Sequence, residues 1–185
     1  MPTSRNKDSR APLGRKLTVP VKSMPHLNPT QHDLPEGVRR KVTTILNDQL
    51  ADLIDLHSQA KQAHWNVKGP NFIGLHELFD KIADTLSEYI DMVAERGVAL
   101  GGVALGTVRL AASRSRLPEY PLEIQTGADH VKALSAALAR FGGALRKEIE
   151  RTQELGDLDT SDLFTEISRT IDKYLWMVEA HQLGR

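Results

Sequence analysis

At 185 residues, with 40% apolar and 26% charged side chains, the chain is long enough for one domain with a substantial core and too polar for a membrane protein. It has no cysteine, which excludes disulfides, thiolate zinc sites and cysteine nucleophiles, so any bound metal must be held by imidazole and oxygen. The formal net charge is zero but unevenly spread: residues 1–22 carry Arg5, Lys7, Arg10, Arg15, Lys16 and Lys22 against Asp8 alone, a surplus of +5 that the rest of the chain offsets.

Residues 1–34 are rich in Pro, Ser, Asn and basic side chains and lack apolar periodicity, so a flexible basic N-terminal arm is expected there. They also lack the apolar stretch of a secretory signal, and Pro2, Pro12 and Pro20 would break the amphipathic helix of a transit peptide. No apolar run approaches the roughly 18–20 residues of a spanning helix, so a cytoplasmic protein with no membrane partner is expected.

A four-helix-bundle domain is expected over residues 35–185. Pro35 suits a first helical turn, and Val38, Val42, Ile45, Leu46, Leu50, Leu53, Ile54 and Leu56 then recur at helical spacing as far as Trp65, with a stop at Gly69-Pro70. Asn71 is placed to cap a second helix, whose inward set is Phe72, Leu75, Phe79, Ile82, Leu86, Ile90, Val93 and Val98, ending at Gly101-Gly102. Residues 103–125 form a long connection with a short helix near Thr107–Ser113. A third long helix follows from Thr126 (Val131, Leu134, Leu138, Phe141, Leu145 and Ile149 inward). A turn through Gly156-Asp157 leads to a fourth from Thr160 (Leu163, Ile167, Ile171, Leu175 and Val178). Short links make the first and second helices, and the third and fourth, antiparallel neighbours. The long link lets the second and third run parallel, which is the single-crossover topology of ferritin-like folds.

The second helix carries two pairs at i,i+4 spacing, His76/Asp80 and Asp91/Glu95, each with Cβ atoms about 5–6 Å apart on one face. His64, near the end of the first helix, adds an imidazole. Asp80 and Asp91 lie eleven residues apart, about 16 Å at ~1.5 Å per residue, so one straight helix cannot bring both pairs to one ion. An antiparallel two-fold contact between second helices can, creating two identical sites per dimer. Taken singly, each pair also fits a solvated helix face, as does Asp84/Glu88. His57 is read as a partly buried helix residue, and His26, His32, His130 and His181 as structural or exposed. Trp65 and Trp176 are read as packing residues. Asp157, Asp159 and Asp162 fit either a turn with acids at a helix start or the lining of a pore that admits cations.

The stretch Lys61–Gly102, KQAHWNVKGPNFIGLHELFDKIADTLSEYIDMVAERGVALGG, closely resembles the signature region of the Dps family, the DNA-binding proteins of starved cells. The similarity runs from about Asp33 to His181, including DKYLWMVEAH near the end, and leaves out the arm. The resemblance implies a dodecameric shell that oxidises Fe(II), preferably with hydrogen peroxide, stores the ferric product and protects DNA. It places the iron ligands on His64, His76 and Asp80 of one subunit and Asp91 and Glu95 of its two-fold partner, with Trp65 beside them to intercept radicals. Some members of the family bind DNA through a basic arm; Arg5, Lys7, Arg10, Arg15, Lys16 and Lys22 would do so here without sequence preference and would associate the protein with the nucleoid. A DNA-compacting shell with an incidental metal site, or a non-catalytic helical interaction protein, are the competing readings.

Overall fold

The computed structural model describes residues 26–182, so the cationic residues of the arm lie outside the described residues. Five helices succeed one another: α1 (Glu36–Asn66), α2 (Phe72–Ala99), the short α3 (Val108–Arg114), α4 (Gly127–Glu154) and α5 (Leu158–Glu179), with a closing 3₁₀ turn at Ala180–Gln182. No strand occurs among the described residues. The two hairpins, α1/α2 and α4/α5, pack so that α1 lies on α4 and α2 on α5. The crossover containing α3 runs back along α1, so α2 and α4 are diagonal in the bundle.

The periodic apolar residues converge on one core. Phe79, Phe141 and Phe164 are fully buried with Leu46, Leu50, Leu53, Leu86, Leu134 and Leu138, so every long helix contributes. Each such side chain stabilises the fold by about 1.5–3 kcal/mol through its removal from water. Four expected core residues depart from this pattern: Phe72 is 38% exposed, Val98 is 54% exposed, and Trp65 and Trp176 are each 66% exposed rather than packed. At the end of α2 the inward places are taken by Gly97, beside Leu46, and by the buried Leu100, so Val98 faces outward; both tryptophans point off the bundle.

Local chemistry explains the helix boundaries. Pro35 lies just outside α1, with ψ of 143°, and its carbonyl accepts the first intrahelical bonds from Val38 and Arg39. At the other end Val67 turns to extended backbone and buries itself in the core, ending the helix at Asn66, before Gly69-Pro70. Asn71 occupies the N-cap position of α2, but its side chain makes no capping bond. Thr126 does cap α4, accepting from the Asp129 N–H at 3.2 Å. Helix α5 begins at Leu158, two residues before the expected Thr160, because Asp157 is the cap and accepts from the Thr160 N–H at 3.1 Å. Gly101 ends α2 at φ 84°, and a Cβ there would sit 2.6 Å from the Asn28 carbonyl oxygen, so only glycine fits.

The crossover is held by a polar ladder on α1. Asp48, Asp52 and Asp55 project at i, i+4 and i+7 and receive Arg114, Arg116 and Ser115 respectively. Asp52 is the buried member, taking two guanidinium bonds at 2.6 and 2.9 Å and the Arg116 N–H at 2.8 Å. Asn47 binds the Val103 carbonyl and the Leu105 N–H, and Gln59 binds the Pro118 carbonyl. The long connection is therefore docked along its length instead of looping free.

Candidate metal centre

The α1/α2 hairpin sets the last turn of α1 against the first turns of α2, and there His64 and His76 meet. Their rings stack at 3.8 Å with a 22° interplanar angle. Each Nδ1 faces the other residue's main-chain carbonyl, at 2.8 Å for His64 and 2.9 Å for His76. A carbonyl oxygen only accepts, so both Nδ1 atoms carry the proton, and in the neutral ring each Nε2 keeps a free lone pair. The His64 carbonyl belongs to the last turn of a helix, where carbonyls lack intrahelical partners, so His76 also caps α1. Fixing a ligand imidazole through its other nitrogen is the usual way a metal-binding histidine is oriented.

Asp80, one turn beyond His76, points to the same place, with Oδ1 3.8 Å from His64 Nε2. Lys61 donates to that oxygen at 2.6 Å. This hydrogen bond, with added attraction from the neighbouring imidazoles, holds the Asp80 carboxyl below the ordinary aspartate range against a smaller desolvation cost. Lys61 escaped the sequence reading, although its place three residues before His64 puts it on the same face of α1.

Asp91 and Glu95 do not join this group. Both are exposed on α2, and among the described residues neither has a hydrogen bond or ion pair. No cluster of three or more His, Asp or Glu residues in position to hold a metal occurs among the described residues of one chain. Two imidazoles and one carboxylate could hold a divalent ion such as Fe(II), but would fill only part of its coordination sphere.

The far end of α2 is anchored instead by Arg96. Its guanidinium donates to Asp157 Oδ1 at 2.6 Å and to Thr160 Oγ1 at 3.0 Å, and Asp159 lies 3.6 Å away. Asp157, with its side chain only 1% exposed, is thus a cap and counterion, which favours the turn reading over the pore at that position. Asp159 and Asp162 are exposed. Among the remaining histidines, His57 is half-buried and His130 is buried with Nδ1 2.7 Å from the Tyr120 hydroxyl, while His26 and His181 are exposed. His32 accepts from the Leu34 N–H and lies 3.3 Å from Asp33. No described helix is long and apolar enough to cross a membrane.

Comparison with known proteins agrees with this architecture. A family model for the ferritin-like domain matches residues 43–183. The DNA protection during starvation protein of Agrobacterium fabrum is 45% identical over 152 residues, covering 82% of this chain and 94% of the relative. The protein of that name from Mycolicibacterium smegmatis is 36% identical over 140 residues, 76% of each chain. The solved structure of DpsC from Streptomyces coelicolor superposes with a TM-score of 0.83 at 32% identity, over 89% of this chain and 96% of the other. The chain belongs to the Dps family of ferritin-like proteins.

Proposed function

We propose that this protein oxidises Fe(II), with hydrogen peroxide as the preferred oxidant, at sites completed between two copies of the chain. It stores the ferric product inside a hollow dodecamer and so protects DNA in the cytoplasm. One observation supports the reading: His64 and His76 stack with their Nδ1 atoms engaged and Asp80 lies 3.8 Å from His64 Nε2, while Asp91 and Glu95 of α2 stand exposed without a partner among the described residues. An antiparallel two-fold contact of α2 with its copy sets each half against the other. The names of the relatives, which concern DNA protection during starvation, support the same reading.

Iron is here the substrate and the stored cargo. Each imidazole binds through Nε2, and the carboxylates of Asp80, Asp91 and Glu95, as hard anionic oxygens, favour the ferric over the ferrous state. Lys61 keeps Asp80 ionised until iron takes its place. Two Fe(II) each give one electron to hydrogen peroxide; its O–O bond breaks, and two protons complete two waters. Consuming both electrons together avoids release of hydroxyl radical, and Trp65, exposed beside His64, is placed to intercept any stray oxidant.

The cationic residues Arg5, Lys7, Arg10, Arg15, Lys16 and Lys22 would bind DNA phosphates without sequence preference, multiplied across the shell, and would bring the protein to the nucleoid. Deleting residues 1–22 tests this: a salt-sensitive gel shift should disappear, and full retention would refute the arm's role. For the iron reading, the decisive experiment adds Fe(II) anaerobically, then peroxide, and follows ferric absorbance in the native chain and in Asp91→Ala/Glu95→Ala. Fast oxidation lost in the variant is expected. Equal slow oxidation in both would transfer the function to DNA compaction.

A further inference from the structure

A second edge of the bundle, where α1 packs on α4, carries a groove of about 360 Å³ between Arg116 and Leu117 of the crossover and the middle of α4. Its floor is made of small residues, Ala139, Gly143 and Ala144. A Cβ added at Gly143 would have nothing within 4 Å, so the groove is open above that position. Two carboxylates line it. Asp52 is buried and saturated by Arg116, and Glu148, only 15% exposed, is ion-paired with Arg151 at 3.5 Å, although its Oε2 accepts no hydrogen bond among the described residues. Arg140 and Lys147 are left over: both are exposed, and among the described residues neither has a hydrogen bond or ion pair. Arg146, by contrast, on the same helix, is paired with Asp172 at 2.9 Å.

The spacing and position of these two cations suit an extended polyanion. Seven residues of helix separate them by about 10.5 Å at ~1.5 Å per residue. That is close to three nucleotides of one strand at ~3.4 Å each. A floor of small residues lets a backbone come close enough for both cations to reach it. The groove also leads towards the end of the bundle where the chain enters it. The Asn28 N–H donates to the Gly101 carbonyl at 2.6 Å, and Arg39 donates to the Leu100 carbonyl at 2.9 Å. This fixes the entry point where α2 ends and α1 begins. Helix α4 runs out from Lys147 towards that same end, and the six cations of residues 1–22 precede it in sequence. The metal half-site lies on the α1/α2 edge, so a polyanion in this groove leaves it free.

We propose that the groove bearing Arg140 and Lys147 is a second seat for a nucleic-acid phosphate backbone, acting with the basic arm; the inference rests on the DNA-binding part of the proposed function. The test uses the full-length assembled protein and a fluorescent DNA duplex of arbitrary sequence, with anisotropy followed over a salt series. Arg140→Glu/Lys147→Glu should weaken binding at least tenfold. It should also reduce the slope of log K against log salt by about 0.9 for each phosphate that is no longer neutralised. Lys41→Glu/Lys132→Glu makes the same change in charge on exposed residues outside the groove and should cost no more than threefold. Gly143→Leu, which fills the floor without altering charge, should weaken binding as well. Unaltered shell mass and iron oxidation would exclude misfolding as the cause. Equal loss in both charge-reversal pairs would overturn the groove in favour of a diffuse field. Undiminished binding in Arg140→Glu/Lys147→Glu, with complete loss on deleting residues 1–22, would overturn it in favour of the arm alone. Failure of the native protein to bind DNA at any salt would remove the DNA reading itself.

Discussion

The two ends of α2 carry the same kind of residue pair in opposite states of readiness. At its start, His76 and Asp80 are held by partners from α1: a reciprocal imidazole–carbonyl lock with His64 and an ammonium from Lys61. Towards its finish, Asp91 and Glu95 are exposed without a partner among the described residues, and the helix is secured one residue further on by Arg96. One part of the proposed site is thus positioned by the fold of one chain, and the other is left exposed. A cofacial imidazole pair needs backbone carbonyls to fix its tautomer, whereas carboxylates remain charged and hydrated on an open surface.

The sharpest way to break this contrast is Asp91→Ala/Glu95→Ala. We expect iron oxidation to fall by more than the ~10–100-fold that even outer groups of metal sites command. Stability in denaturant should change by less than about 0.5 kcal/mol, as for exposed residues without partners. A variant that oxidises iron at the native rate would separate the two ends functionally. Arg96→Ala should do the converse. It strands the buried Asp157 carboxylate and should cost about 3 kcal/mol in denaturant unfolding. A loss below 1 kcal/mol would mean that the Thr160 bonds alone hold the α4/α5 turn.

Lys61→Met addresses the held end more gently. Without the ammonium, the Asp80 carboxyl should rise towards the ordinary aspartate range, read by a carboxyl NMR titration. In the native chain the folded-state value is depressed. The associated stability is therefore present above the unfolded value and is lost as pH falls through the folded one. That acid-side loss should shrink in Lys61→Met, and an unmoved Asp80 titration would refute the assignment. The smallest effect is expected at the start of α2 itself. Asn71→Ala removes no capping bond and should cost only a few tenths of a kcal/mol, against about 1 kcal/mol for Thr126→Ala at α4. Equal losses would show that Asn71 caps after all.

Much of the fold was legible because helical burial leaves a periodic trace. Leu46, Leu50 and Leu53, Ile82 and Leu86, and Leu134 and Leu138 recur at the spacing of one helical face, and they are core residues. Connection lengths were equally readable, since two short links and one long one leave few ways to close four helices. The reading failed at Phe72, Val98, Trp65 and Trp176, because hydrophobicity alone does not report which side of a helix meets a neighbour. The His76/Asp80 and Asp91/Glu95 pairs were visible as i,i+4 repeats. Their difference in readiness was not.

The amino-acid sequence by itself determined the helical class, the crossover topology, the family and the five residues on which the metal reading rests. Each of these is written in local spacing or in a contiguous motif. Only the tertiary structure decided that Lys61 serves Asp80, that Arg96 clamps Asp157, that Asp48, Asp52 and Asp55 dock the crossover, and that Arg140 and Lys147 have no ion-pair partner among the described residues. These pairings join residues up to 66 positions apart, and a charge distant in sequence finds its partner only once packing has placed both side chains within reach.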